Sequence, residues 1–141
     1  MAKRLGVPVF TSENAWSGGA DKVFGMREDF YTQYPNSTIH TVKALIRASQ
    51  WLDANNNANR PAAVKMISRP IYVGADEKII ANSMTGTFEF EQGDKRPIPE
   101  FNTFFKGVYG MPYYSDAIWW MTQMRRWGHI TATQTDSWYM D

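Results

Sequence analysis

The sequence contains no cysteine, which excludes disulfides and thiolate metal sites. It carries almost no net charge, because 15 Lys and Arg stand against 14 Asp and Glu to leave +1. Such a balance makes no field that would draw nucleic acid or an anionic membrane surface, so neither is expected as a partner. No stretch approaches the roughly 20 apolar residues of a membrane span. The run Val7-Pro8-Val9-Phe10 near Met1 is too short for the apolar core of a signal peptide. There is no P-loop and no G-x-G-x-x-G, so the chain is not itself an ATPase domain. No G-x-S-x-G surrounds a serine. His40 and His129 lack a second His or a Cys at ligand spacing, and a metal site on them is not expected. Glu89, Glu91 and Asp94 read as a solvated strand face and turn, not as a catalytic pair or a calcium cluster. No cofactor is expected.

What the chain has in quantity is aromatic surface: six Trp, seven Tyr and eight Phe make up 15% of its 141 residues. That surface calls for a core or a partner to cover it. Residues 7–10 and 22–26 read as short strands, separated by a polar loop with Ser17-Gly18-Gly19. Glu28 to Tyr34 reads as a helix closed by Pro35. Asn36 and Ser37 are candidate caps for a long helix from Thr38 to Ala54. Its stripe is Ile39, Val42, Leu45, Ile46 and Leu52, with Lys43, Arg47 and Asp53 on the wet side and Asn55-Asn56-Asn57 as the stop. Shorter helices are expected over Pro61 to Ile67 and Asp76 to Met84. Thr87 to Glu91 alternates as a half-buried strand, and Gly93 to Pro99 reads as a linker. Ser115 is a candidate cap for a last helix, Asp116 to Trp127, with the stripe Ala117, Trp120, Met121, Met124 and Trp127. Trp119 falls off that stripe. Two short strands cannot make a self-standing sheet, so the set reads as a piece of a larger α/β protein.

Three stretches carry a family resemblance: Asp21-Lys22-Val23-Phe24-Gly25-Met26-Arg27 leading into Tyr34-Pro35-Asn36, then residues 42–53, then Tyr114-Ser115-Asp116-Ala117-Ile118-Trp119-Trp120-Met121 running on to Gly128. In order and separation they resemble the nitrate- and bicarbonate-binding proteins of ABC importers, a group of two-lobed solute-binding proteins. The resemblance implies an α/β, helix-rich fold: the C-terminal portion of a two-lobed, type II periplasmic binding protein, and an incomplete one. Residues 1–141 would be the C-terminal portion of a solute-binding domain. Residues 1–27 would form an interlobe crossing with cleft-edge strands, and residues 28–141 the mainly helical part of one lobe.

The implied function is non-enzymatic capture of a small inorganic oxyanion, nitrate or nitrite, for the permease and ATPase subunits of an ABC importer. A cytoplasmic nitrate or nitrite sensor, a bicarbonate-binding homologue and a binding domain fused behind an ATPase subunit are the alternatives. An enzyme acting on a small molecule is the competitor from another class, and no activated nucleophile or acid–base pair supports it. The compartment follows the same choice: periplasmic or membrane-associated if the full-length protein carries a signal peptide, cytoplasmic if it is a sensor.

Lys22 is the first candidate for the binding site. In the resembling family this place looks like a lysine in nitrate binders and a carboxylate in bicarbonate binders. A buried monovalent anion needs a fixed cation or several donors to offset its desolvation. Nitrate offers only acceptors, whereas bicarbonate brings its own proton and tolerates a neighbouring carboxylate. Trp16, Gly18 and Gly19 are further candidates, the indole as a wall and the glycine N–H groups as donors, with Ser12, Glu13 and Ser17 able to shape the loop. Each has a plainer reading: a solvated lysine beside Asp21, a packing aromatic, and an ordinary turn.

Overall fold

The computed structural model describes residues 6–19, 22–107 and 109–131. The chain divides into two units, one made of Met1–Gly19 with Gly25–Gly110 and the other of Ala20–Phe24 with Met111–Asp141.

The first unit begins with a single turn, α1 (Ser12–Ala15), held by a reciprocal capping box between Thr11 and Asn14. Then comes α2 (Glu28–Gln33), with Glu28 and Asp29 in its first turn. Tyr34 leaves the helical region (φ −130°, ψ 58°) because the proline after it disfavours α geometry there. Pro35, whose missing N–H costs nothing in a first turn, opens α3 (Pro35–Asn57). Asn36 and Ser37 therefore lie inside the helix and do not cap it. Tyr34 holds the cap position without a side-chain bond, while the Thr38 hydroxyl bonds back to the Tyr34 carbonyl at 3.1 Å.

The right-handed part of α3 ends after Asp53, where Ala54 is extended and Asn55, Asn56 and Asn57 have φ of 49°, 58° and 67°. Asparagine is among the few residues that enter this left-handed region readily. Ala58 N–H closes the turn onto Ala54 O at 3.3 Å, and the Asn59 side chain donates to Trp51 O at 2.8 Å. The chain then re-enters a helix, α4 (Arg60–Ile67), with proline in its first turn. Asp76 caps α5 (Glu77–Met84) by accepting from Lys78 N–H at 2.8 Å.

The core sits between these two helices. Ala63 and Val64 of α4 meet Ile80 and Met84 of α5, flanked by Leu52, Ile67, Ala75, Ala81 and Phe104. Strand β1 (Thr87–Glu91) buries Phe88 and Phe90 on one face, and Phe88 stacks on Phe101 with centroids 4.9 Å apart. The Asn82 side chain ties α5 to this strand by accepting from Glu89 N–H at 2.7 Å.

The expected linker after β1 contains a second strand, β2 (Asp94–Pro97), which pairs antiparallel with β1 through a register that sets Phe88 opposite Arg96 and Glu89 opposite Lys95. Its residues are polar and show no apolar alternation, so periodicity could not reveal it. The Arg96 guanidinium, paired with Asp94 on its own strand and 4.4 Å from the Phe90 ring centroid across the ladder, stands in for that signal.

The two strands expected at residues 7–10 and 22–26 are not formed; both segments lack ladder pairing. A strand exists only through a partner, and none pairs with them among the described residues. Val9 and Val23 are each 86% exposed. The α3 stripe is also open: α3 holds no buried residue, and of its five apolar positions only Leu52 packs on the core.

In the second unit, α6 (Tyr114–Arg126) has Tyr113 at its cap position without a side-chain bond, so Ser115 lies within the helix. Arg125 and Arg126 occupy its last turn, where the helix dipole favours cations. Gly128 (φ 72°) turns the chain away, and His129 N–H reaches Met124 O at 2.8 Å. Met121 is buried, and Trp119 meets Trp120 edge to face at 4.9 Å.

Candidate functional site

Three of the candidate site residues share one loop. Trp16, Gly18 and Gly19 follow α1 directly, and the loop doubles back on itself through the Gly19 N–H to Trp16 O bond at 3.1 Å. Gly18 has φ +68°, and a Cβ there would lie 2.7 Å from the Tyr109 hydroxyl. A Cβ on Gly19 would lie 2.7 Å from the Trp16 indole. Gly18 suits glycine because its φ is positive, and Gly19 because the Trp16 indole already fills the space a Cβ would take. Trp16 is thus a wall of this loop, although its outer face is open to solvent.

The donors of the loop are engaged. The Ser17 hydroxyl donates to Glu13 Oε1, and the Gly18 N–H donates to Glu13 Oε2 at 3.1 Å. These two bonds, the Ser17 hydroxyl first, hold the Glu13 carboxyl below the usual carboxylate range. The anion these two donors meet is the Glu13 carboxylate of the same segment.

Lys22 belongs to the second unit, on an exposed, extended segment. Lys22 is engaged in an interaction there. Ser12 is exposed on α1, and Thr11 is buried beneath the loop.

A buried charge cluster escaped the sequence reading. Arg60, only 2% exposed, donates to Asp53 Oδ1 at 2.6 Å, to Asn102 O at 2.7 Å and to Met84 O at 3.2 Å. Asp53 Oδ2 in turn accepts from Phe104 N–H at 2.8 Å and Phe105 N–H at 2.7 Å. Burial pushes the Asp53 carboxyl up, but the Phe105 N–H, Arg60 and the Phe104 N–H together outweigh it and set the pKa below the ordinary value. Beside this cluster lies a cavity of about 300 Å³ lined by Asp53, Asn56, Asn57, Arg60, Glu100 and Lys106 among others. Lys106 and Glu100 pair at its exposed rim. Since the Asp53 oxygens and both terminal nitrogens of Arg60 are occupied, the cluster ties α3, α4 and the segment after β2 together and offers little to a ligand. The sequence signal was faint: Arg60-Pro61 at a helix start, between an asparagine-rich run and the apolar residues 62–64. Among the described residues no group of His, Asp and Glu is placed to hold a metal ion, and no helix is long and apolar enough to cross a membrane.

Comparison with known proteins agrees with the fold. Residues 1–68 match the NMT1-like family. The nitrate import ATP-binding protein NrtC of Synechocystis is 30% identical over 133 residues, which is 92% of this chain and 19% of that protein. The nitrate/nitrite binding protein NrtA of Nostoc is 26% identical over 129 residues, 91% of this chain and 29% of that one. The crystal structure of the periplasmic nitrate-binding protein NrtA from Synechocystis superposes with a TM-score of 0.77 at 24% identity, covering 86% of this chain and 31% of that chain. The chain thus spans between 19% and 31% of the length of these relatives. It has the helix-rich α/β architecture of part of a periplasmic binding protein. In sequence and fold together, the chain is similar, over part of their length, to nitrate/nitrite binding proteins and to the ATP-binding proteins of nitrate and bicarbonate transport.

Proposed function

We propose that this chain is part of the solute-binding component of an ABC-type nitrate/nitrite import system, and that it captures a small oxyanion between two lobes. The observation that carries the reading is the superposition on a periplasmic nitrate-binding protein over 86% of the chain. Its portion in that scheme is C-terminal, with residues 1–27 at the interlobe crossing and residues 28–141 in one lobe. Capture is reversible and non-covalent: anion contacts from both lobes favour the closed form by their differential affinity. The partners are the anion and the permease and ATPase subunits that receive it. Lys22 is the residue proposed to supply fixed positive charge to the anion; Trp16, Gly18 and Gly19, on the loop after α1, are separate candidates, the indole as a wall and the glycines for close backbone approach. The solvent-facing, extended segment that bears Lys22 suits a residue whose counterpart wall comes from the other lobe.

Replacing Lys22 by Glu tests this assignment. In the full-length protein the change is expected to weaken nitrate binding by about a hundredfold, since it removes one buried charge-assisted contact and adds a like charge. Isothermal titration calorimetry reads the change directly, and an unaltered nitrate affinity removes Lys22 from the site.

A second reading has its own support. The chain is also 30% identical to ATP-binding proteins of nitrate and bicarbonate transport while spanning only 19% and 18% of them. In this reading the chain is a binding domain fused behind an ATPase. The upstream coding sequence decides, because a P-loop there establishes the fusion and a signal peptide establishes the free binding protein.

A further inference from the structure

The loop after α1 presents two donors to a planar anion, and Glu13 supplies that anion. Its Oε1 takes the Ser17 hydroxyl and its Oε2 the Gly18 N–H. A carboxylate and a nitrate both offer two oxygens of one planar, singly charged group, so the same pair of donors serves either. Bonds other than those of Glu13 also hold the segment: the Thr11–Asn14 capping box at its start and the Gly19 N–H to Trp16 O bond at 3.1 Å at its end. Ser17 and Gly18 are exposed, so the Glu13 side chain can swing into water and leave the donors in place.

We propose that Glu13 is an internal competitor for the oxyanion: it occupies the Ser17 and Gly18 donors in the anion-free protein, and a bound nitrate takes them on displacing it. This rests on the solute-binding reading of the loop and adds a residue that sets affinity. The apparent affinity is then the intrinsic one reduced by the fraction of molecules in which Glu13 has left.

The test is a calorimetric titration of sodium nitrate into the full-length protein, its Glu13→Gln and Ser17→Ala variants, and a Glu28→Gln control, with thermal unfolding measured on each. Glu28 is exposed and lies on α2. Glu13→Gln is expected to tighten nitrate binding by about three- to tenfold, as the competent fraction rises. Ser17→Ala is expected to weaken it by a similar factor, because the anion loses a donor. Glu28→Gln leaves it unchanged. Opposite signs at the two ends of one hydrogen bond separate competition from a structural role, which would move both variants downward. Wild-type binding with Glu13→Gln unchanged or weaker overturns the proposal alone. A comparable gain in Glu28→Gln also overturns it, because it assigns the effect to general surface charge. No nitrate binding by the wild type overturns the solute-binding reading, and this inference with it.

Discussion

Asp53 and Arg60 show how a single residue pair can organise a fold that periodicity alone describes incompletely. The guanidinium is almost wholly buried and the carboxylate nearly so; the two pair with each other and with four backbone groups, while the buried Arg60 Nε has no hydrogen-bond partner among the described residues. Removing one partner leaves the other charge buried without compensation. Asp53→Ala is expected to cost about 3–5 kcal/mol, measured by chemical denaturation. The pH dependence has a definite sign. The folded Asp53 carboxyl has a lowered pKa, so its contribution is present above the unfolded value of about 3.9 and is lost as pH falls through the lower, folded value. Wild-type stability should therefore drop along an acid limb that Asp53→Asn flattens, at the cost of lower stability near neutrality. Helical spacing placed Asp53 on the wet face of α3, whereas the structure holds its carboxylate largely buried against Arg60. Its partners come from residues 60 and 102–105, a distance along the chain that no local pattern can register. Gly18 and Gly19 were legible as a loop, but the rings beside them were not, because one of them, Tyr109, lies far away in sequence.

At the level of the element, the helices were the most legible part, since their apolar spacing and breakers are local. Pro35 and the asparagine run set both limits of α3. Caps were less legible: Asn36, Ser37 and Ser115 have suitable side chains, but the helices begin earlier, at Pro35 and Tyr114. The left-handed turn at residues 55–57 carries a testable cost. At Asn56 (φ 58°), glycine should be neutral or stabilising by up to about 1 kcal/mol, because it has no Cβ to strain. Valine there should be destabilising by about 1–2 kcal/mol. Thermal unfolding of the Asn56→Gly and Asn56→Val pair checks both directions. Strand β2 was missed because its content is charge pairing, and the strands expected at residues 7–10 and 22–26 were over-read because strand propensity says nothing about where a partner lies.

For the whole molecule, the open α3 stripe and the unpaired extended segments fit a chain that matches 31% of a nitrate-binding protein's chain at a TM-score of 0.77. The apolar spacing on α3 was read correctly from the sequence, yet Ile39, Val42, Leu45 and Ile46 remain between 39% and 48% exposed. The resemblance supplied the architecture that composition and periodicity left open, and superposition bears out the fold. Anion capture is the central claim. Its most direct measurement is equilibrium binding of nitrate to the full-length protein, with nitrite, bicarbonate and sulfate as competitors. The account predicts saturable binding of one nitrate per polypeptide, displaced by nitrite and left largely intact by sulfate. Absence of saturable nitrate binding, or preferential capture of bicarbonate, would contradict it.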